Sequence, residues 1–68
     1  MKCVIKENLL DMISSKFLTV GQIAKDNCLA FNTVKRCLDG NPVTMMVAQK
    51  LCTYFECEFK DIFSIAKE

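Results

Sequence analysis

Residues 24–34 read AKDNCLAFNTV, and this stretch decides the fold that the sequence predicts. Alanine and valine stand at its ends, with polar residues, a cysteine and a leucine between them. Two short helices that meet at a sharp turn explain the pattern, because a connection of roughly residues 28–30 forces them to cross steeply. Ala24 would lie at the crossing, where only a small side chain lets the second helix pack closely.

The residues before the turn predict a helix of about two turns with its own N-terminal cap. Residues 19–22, TVGQ, match a capping box, in which the Thr19 hydroxyl accepts from the third amide and the Gln22 side chain reaches back. After the turn, a second helix runs to residues 39–42, DGNP, where glycine supplies a left-handed cap and proline cannot continue the helix. Its apolar face consists of Val34, Cys37 and Leu38.

The rest of the chain also predicts helices. Apolar residues at helical spacing predict one over 4–15, and Thr44 is the expected N-cap of another that carries Ala48 and Leu51. A last helix is expected around Phe59, Ile62, Phe63 and Ala66. The predicted fold is therefore all-α: five short helices around one core, in a single domain spanning residues 1–68.

Composition narrows the functional classes. The chain has 68 residues, of which 51% are hydrophobic, with two glycines, one proline and no histidine. Its five cysteines form no CxxC pair, which favours core thiols in a reducing, cytoplasmic setting over disulfides or a metal site. The longest apolar run, VTMMVA, is too short to span a bilayer. Nothing marks an enzyme active site, a cofactor or a small-molecule substrate.

Charge is uneven along the chain although the net charge is only +1. Residues 16–50 hold five cations and two carboxylates, which is +3, and residues 51–68 hold two cations and four carboxylates, which is −2. The middle of the chain can therefore face a polyanion while the tail faces elsewhere.

Residues 18–40, LTVGQIAKDNCLAFNTVKRCLDG, resemble the helix-turn-helix of the lambda-repressor-like regulators of the Cro and Xre types, without a gap. Residues 51–63, LCTYFECEFKDIF, resemble the closing segment of that family. The resemblance covers about residues 4–65. It implies a compact five-helix DNA-binding domain with the helix-turn-helix at helices two and three, acting as a transcriptional regulator such as a repressor.

The resemblance also implies how double-stranded DNA would be bound. The third helix would enter the major groove with its N-terminal half. Asn32 would pair with adenine, Arg36 with guanine, and Phe31 would pack on a thymine methyl. Backbone phosphates would be contacted by Thr19, Gln22, Thr33, Lys35, Asn41 and Thr44. For each of these residues the alternative is a solvated side chain or a helix cap.

Four positions depart from the family pattern. Cys28 stands where glycine is usual, at a turn position that often needs a positive φ, so either the turn relaxes or Cys28 is strained by about 1 kcal/mol. Ala30 replaces a capping serine, and Val20 replaces a polar residue that commonly touches phosphate. Phe31 replaces a polar base-reading residue, and it either reads DNA or packs into a neighbouring pocket or a protein interface.

Two functional hypotheses follow. The first is a sequence-specific regulator that binds DNA as a homodimer, with leftover apolar residues such as Tyr54 and Ile65 forming the dimer face. The second is a protein-interaction module, such as an antitoxin or anti-activator, that kept the fold and lost DNA binding. The departures at Val20, Cys28 and Phe31 favour the second hypothesis, whereas Asn32 and Arg36 favour the first.

Overall fold

The structure is a computed structural model that describes residues 2–66. Three residues of the predicted domain, Met1, Lys67 and Glu68, lie outside the described residues. Lys67 and Glu68 are also two of the charges counted for residues 51–68. Within 2–66 the elements are β1 Lys2–Ile5, α1 Glu7–Ser15, α2 Val20–Asp26, α3 Phe31–Leu38, β2 Val43–Thr44, α4 Met45–Phe55, α5 Phe59–Ile62 and β3 Phe63–Ile65.

Five helices are present in this part of the chain, as predicted, but the expectation of an all-α fold is confirmed only in part. A three-stranded antiparallel sheet, in the order β2-β1-β3, accompanies the helices. The helix predicted over 4–15 begins only at Glu7, because Val4 and Ile5 belong to β1. Cys3 pairs with Val43 on one side and with Ile65 on the other, so long-range pairing decides the conformation of this segment.

The last helix is also shorter than predicted. It ends at Ile62, and Phe63 already has extended backbone angles, φ −132° and ψ 159°. Phe63 pairs with Ile5 in the sheet and remains buried, with its ring stacked 5.7 Å from that of Phe59. The helical spacing of Phe59, Ile62 and Phe63 therefore correctly predicted residues that pack in or against the core, but not the point where the helix ends.

One core joins the sheet to the helices. The strands contribute Cys3, Val43 and Phe63, and each helix contributes at least one buried side chain. Ala24 is 4% exposed, as its place at the helix crossing predicts. The buried residues on the helices are Leu9, Ile23, Ala24, Val34, Cys37, Val47, Ala48, Leu51, Phe55 and Ile62. Among residues 2–66, no helix has the length and apolar content needed to cross a membrane.

The cysteines are all free, and four of them support the core. Cys3 and Cys37 are buried, and burial raises the pKa of the Cys37 thiol to about 11. Cys52 and Cys57 are half-buried against the core. Cys28 is the exception to the predicted core role, since it is exposed on the turn after α2.

Four helix ends in the described chain close with the same pair of hydrogen bonds. At the end of α2 the Cys28 amide donates to the Lys25 carbonyl at 3.3 Å, and the Leu29 amide donates to the Ala24 carbonyl at 2.9 Å. This is a Schellman motif, whose turning residue needs a positive φ. The turning residues are Phe17, Cys28 and Glu56, each at φ 56°, and Gly40 at φ 94°. Of these, the sequence predicts only Gly40. For Cys28, the positive φ shows that the turn is not relaxed and that this residue is strained.

Polar contacts join α4 to α2. The Tyr54 hydroxyl donates to Asp26 Oδ2 at 2.7 Å, and Lys50 Nζ donates to the Asn27 carbonyl at 3.3 Å. The Gln22 carboxamide donates to Asp26 Oδ1 at 2.8 Å, so both carboxylate oxygens of Asp26 are engaged. These bonds, from Gln22 first and then from Tyr54, hold the pKa of Asp26 below its usual value.

Replacing Cys28 with glycine is expected to stabilise the fold. Glycine pays no Cβ penalty at φ 56°, so the free energy of unfolding should rise by a few tenths to about 1 kcal/mol. Cys28→Ala is the matched control, because it also removes the exposed thiol but keeps a Cβ. Urea unfolding of both variants should show a higher midpoint for glycine alone. An equal gain for alanine would mean that the thiol, not the backbone, carries the penalty.

The Tyr54–Asp26 contact is expected to be sensitive to acid. Folding lowers the pKa of the Asp26 carboxyl below 3.8, the value for an unperturbed aspartate. The carboxylate therefore stabilises the folded protein at pH values above 3.8, and this stabilisation is lost as the pH falls through the pKa of the folded state. Tyr54→Phe keeps the ring beside Phe55 and removes only the hydroxyl. The difference in urea midpoint between Tyr54→Phe and the parent should therefore shrink between about pH 7 and about pH 2. A difference independent of pH would contradict the contact.

Candidate nucleic-acid interface

The turn between α2 and α3 sets the position of the candidate interface. It spans residues 27–30, slightly longer than the predicted 28–30, and Asn27 donates from its carboxamide to the Ile23 carbonyl at 2.8 Å. Leu29 returns into the core immediately after the Schellman turn. The apolar residues of α3, Val34 and Cys37, are fully buried. The opposite face of α3 is consequently turned to solvent.

The exposed face of α3 carries the residues predicted to read bases. Phe31, the first residue of the helix, is 54% exposed, and Asn32 and Arg36 are exposed one helical turn apart. Lys35 is exposed beside Arg36. Both lie in the last turn of the helix, where the helix dipole favours positively charged side chains. The structure therefore brings the three predicted base contacts onto one accessible surface.

The N-terminus of α3 lacks a side-chain cap. Ala30 occupies the N-cap position with extended backbone angles, and its side chain accepts no hydrogen bond. Serine is usual there in the family that the sequence resembles, and its hydroxyl would accept from an amide of the first turn. Here the Thr33 amide donates instead to the Ala30 carbonyl at 3.1 Å.

The N-terminus of α2 is capped differently from the predicted capping box. Thr19 Oγ1 accepts from the Gln22 amide at 3.1 Å, as predicted. The Gln22 side chain, however, turns towards Asp26 instead of reaching back to Thr19. The bond to Asp26 uses one of the two carboxamide protons, and the second remains for another acceptor. Thr19 and Gln22 thus lie together at the positive end of α2.

Of the remaining predicted phosphate contacts, Thr33 lies on α3, and Asn41 and Thr44 lie between α3 and α4. Thr44 caps α4 by accepting from the Val47 amide at 3.5 Å, and the exposed Asn41 donates its amide to the Arg36 carbonyl at 3.0 Å. Thr33, Arg36 and Thr44 line a cavity of about 200 Å³. Lys2 lines the same cavity, although the sequence analysis assigned it no role. Residues 2–5, KCVI, carry no local signal for the strand that brings Lys2 there, because three apolar residues in a row fit a helix as well as a strand.

The exposed cations of α3 have no carboxylate partner within the described residues. In that part of the chain, an ion pair within 4.0 Å occurs only between Lys60 and Glu58, at 3.6 Å and far along the sequence from α3. Lys35 and Arg36 are therefore available to an external anion. Asp26 and Lys50, by contrast, are already engaged in the contacts between α2 and α4.

Comparisons with known proteins agree with this geometry. The family model of the Cro/C1-type HTH DNA-binding domain matches residues 8–68. Among solved structures, the crystal structure of the transcriptional regulator VanUg, Form II, is similar with a TM-score of 0.72 and 19% identity, over 100% of this chain and 92% of that one. At that identity the similarity shows the fold alone. No curated protein shows significant similarity to the chain. The chain belongs to the Cro/C1-type helix-turn-helix DNA-binding domain family, as its turn between α2 and α3 predicts.

Proposed function

We propose that this protein is a sequence-specific, Cro-like transcriptional regulator of the Xre type, a repressor that reads the major groove of DNA with α3. One observation carries the proposal: the solvent face of α3 presents Asn32, Lys35 and Arg36 without a carboxylate partner among the described residues. This face is what a recognition helix offers to bases and phosphates. The protein acts as a binding domain over residues 1–68, not as an enzyme, and needs no cofactor.

The base-reading residues differ in what they offer. Asn32 offers a carboxamide that matches adenine, and Arg36 a guanidinium that matches guanine. Phe31 offers an apolar ring for a thymine methyl. The predicted phosphate contacts are Thr19 and Gln22 at the N-terminus of α2, Thr33 and Lys35 on α3, and Asn41 and Thr44 between α3 and α4.

The regulator would act as a homodimer in the cytoplasm. β3 lies at an edge of the sheet, and Ile65 on it is 46% exposed. An antiparallel edge strand can pair with its own copy about a two-fold axis. Tyr54, the other residue predicted for the dimer face, is half-buried and bonded to Asp26, so Ile65 carries the proposed contact. The five free cysteines support a reducing compartment.

The protein-interaction module remains the second candidate because two aromatic rings are exposed. Phe31 is 54% exposed at the start of α3, and Phe17 is 92% exposed at the end of α1. An exposed aromatic residue is typical of an interface anchor. In that function Phe31 would insert into a partner protein, and the cations of α3 would be ordinary solvated residues.

Substitutions on α3 distinguish the two functions. For the regulator, Arg36→Ala should cost about 1–3 kcal/mol of affinity for a selected duplex and relax preference at one base pair. Lys35→Ala should weaken binding to all sequences equally and make the salt dependence shallower. Fluorescence anisotropy against the selected duplex and a scrambled one measures both, with Lys60→Ala as the control cation. If both α3 variants bind as the parent does and Phe31→Ala alone loses a protein partner, the interaction module is correct.

The dimer has its own test. The parent is expected to sediment as a homodimer at micromolar concentration, whereas Ile65→Lys should sediment as a 7.7 kDa monomer, because a charge at the edge strand opposes pairing. Leu10→Lys, which adds the same charge at an exposed residue of α1, should leave the dimer intact. A parent that remains at 7.7 kDa at high concentration would contradict the homodimer.

A further inference from the structure

Strand β1 brings a cation from the start of the chain to the side of the recognition helix. Lys2 pairs directly with Thr44 in the antiparallel ladder between β1 and β2. Side chains of directly paired residues stand on the same face of a sheet, with Cβ atoms about 4.5–5.5 Å apart. Cys3, the next residue, is buried on the opposite face. The side chain of Lys2 therefore stands beside the hydroxyl of Thr44.

The cavity that Lys2 and Thr44 share has the chemistry of an anion site. Lys2 and Arg36 supply two positive charges, and Thr33 and Thr44 supply two hydroxyls. Its other lining residues, Pro42, Val43 and Val47, are apolar, and none of the seven carries a carboxylate. Within residues 2–66, neither Lys2 nor Arg36 takes part in an ion pair. Two like charges around one cavity repel each other unless an anion lies between them.

The size of the cavity suits a small anionic group. Its volume of about 200 Å³ is below the range of about 300–1,000 Å³ that encloses a drug-sized ligand. A tetrahedral phosphate group offers acceptor oxygens to several donors at once. An ammonium and two hydroxyls are donors of that kind. Thr44 uses a lone pair of its oxygen for the α4 cap, so its proton is still available to such an acceptor.

We propose that the cavity between β1, β2, α3 and α4 binds a phosphate group through Lys2, Thr33 and Thr44, while the positive charge of Arg36 on its lining favours the anion and the guanidinium of Arg36 stays with the base. The assignment of that group to the DNA backbone rests on the proposed function. Arg36 also belongs to the exposed face of α3, so a phosphate in the cavity would lie next to the proposed reading face. Lys2 then extends the DNA-binding surface to the first strand of the chain.

The test compares two variants that each remove one exposed cation. Lys2→Gln removes the charge of Lys2 in the cavity. Lys60→Gln removes the charge of Lys60, which lies on α5 and is paired with Glu58. Salt-dependent binding to the selected and the scrambled duplex is measured by anisotropy. Lys2→Gln should weaken both by about threefold to tenfold and make the log–log salt slope shallower by about 0.9 for each monomer. Lys60→Gln should change neither quantity.

A titration with inorganic phosphate tests the cavity without DNA. Its addition should shift the backbone amide resonances of Lys2, Thr33 and Thr44 in the parent, and Lys2→Gln should abolish these shifts. If the parent binds DNA and Lys2→Gln binds it equally well, a DNA phosphate in the cavity is excluded while the proposed function stands. If the parent binds no DNA, the proposed function fails, and shifts with inorganic phosphate would then assign the cavity to a free phosphate. No shifts and no effect of Lys2→Gln would overturn the site.

Discussion

The hydrogen bond from the Leu29 amide to the Ala24 carbonyl, 2.9 Å long, is the contact on which the candidate interface depends. It ends α2 with a tight turn, which requires the positive φ of 56° at Cys28. Leu29 then returns to the core, and α3 begins two residues later. Because the turn is that short, α3 must bury Val34 and Cys37 and leave Asn32, Lys35 and Arg36 in solvent.

The same closing motif ends three other helices of the described chain, and only one of the four has glycine at the turning residue. Each non-glycine turn costs about 1 kcal/mol, so the chain tolerates strain at Phe17, Cys28 and Glu56. The residues that follow them, Leu18, Leu29 and Cys57, all pack against the core. Burial of the following residue thus offsets the strain of the turn, which explains how the motif persists without glycine.

The helix-turn-helix could be predicted from the sequence because its signals are local. The cap at Thr19, the apolar spacing after Phe31 and the stop at Gly40 each depend on neighbouring residues, and all are present in the structure. Within the candidate interface, the exposure of Asn32 and Arg36 followed from the same spacing. The bond from Gln22 to Asp26 did not, since two acceptors within reach of one side chain cannot be ranked from spacing alone.

The sheet could not be predicted, for a physical reason. Lys2–Ile5 and Phe63–Ile65 are too short to show a strand pattern, and what stabilises them is pairing between residues about 60 positions apart. Val4 and Ile5 fit a helix and a strand equally well by hydrophobicity. The consequence reaches the interface, because β1 also pairs with β2, and that pairing places Lys2 beside Thr44. A cation that the sequence assigned to no site therefore lies in the cavity next to α3.

Mapping the bound surface by NMR tests the central claim, that the outer face of α3 and the N-terminus of α2 contact DNA. A duplex selected from a random pool is added to isotope-labelled protein, and the shifts of the backbone amides are followed. The largest shifts are predicted over 19–22 and at the exposed residues of 31–36, with the core residues Leu9, Leu51 and Ile62 unchanged. Shifts confined to β3 and α1, or none under low salt, would contradict DNA recognition by this helix-turn-helix.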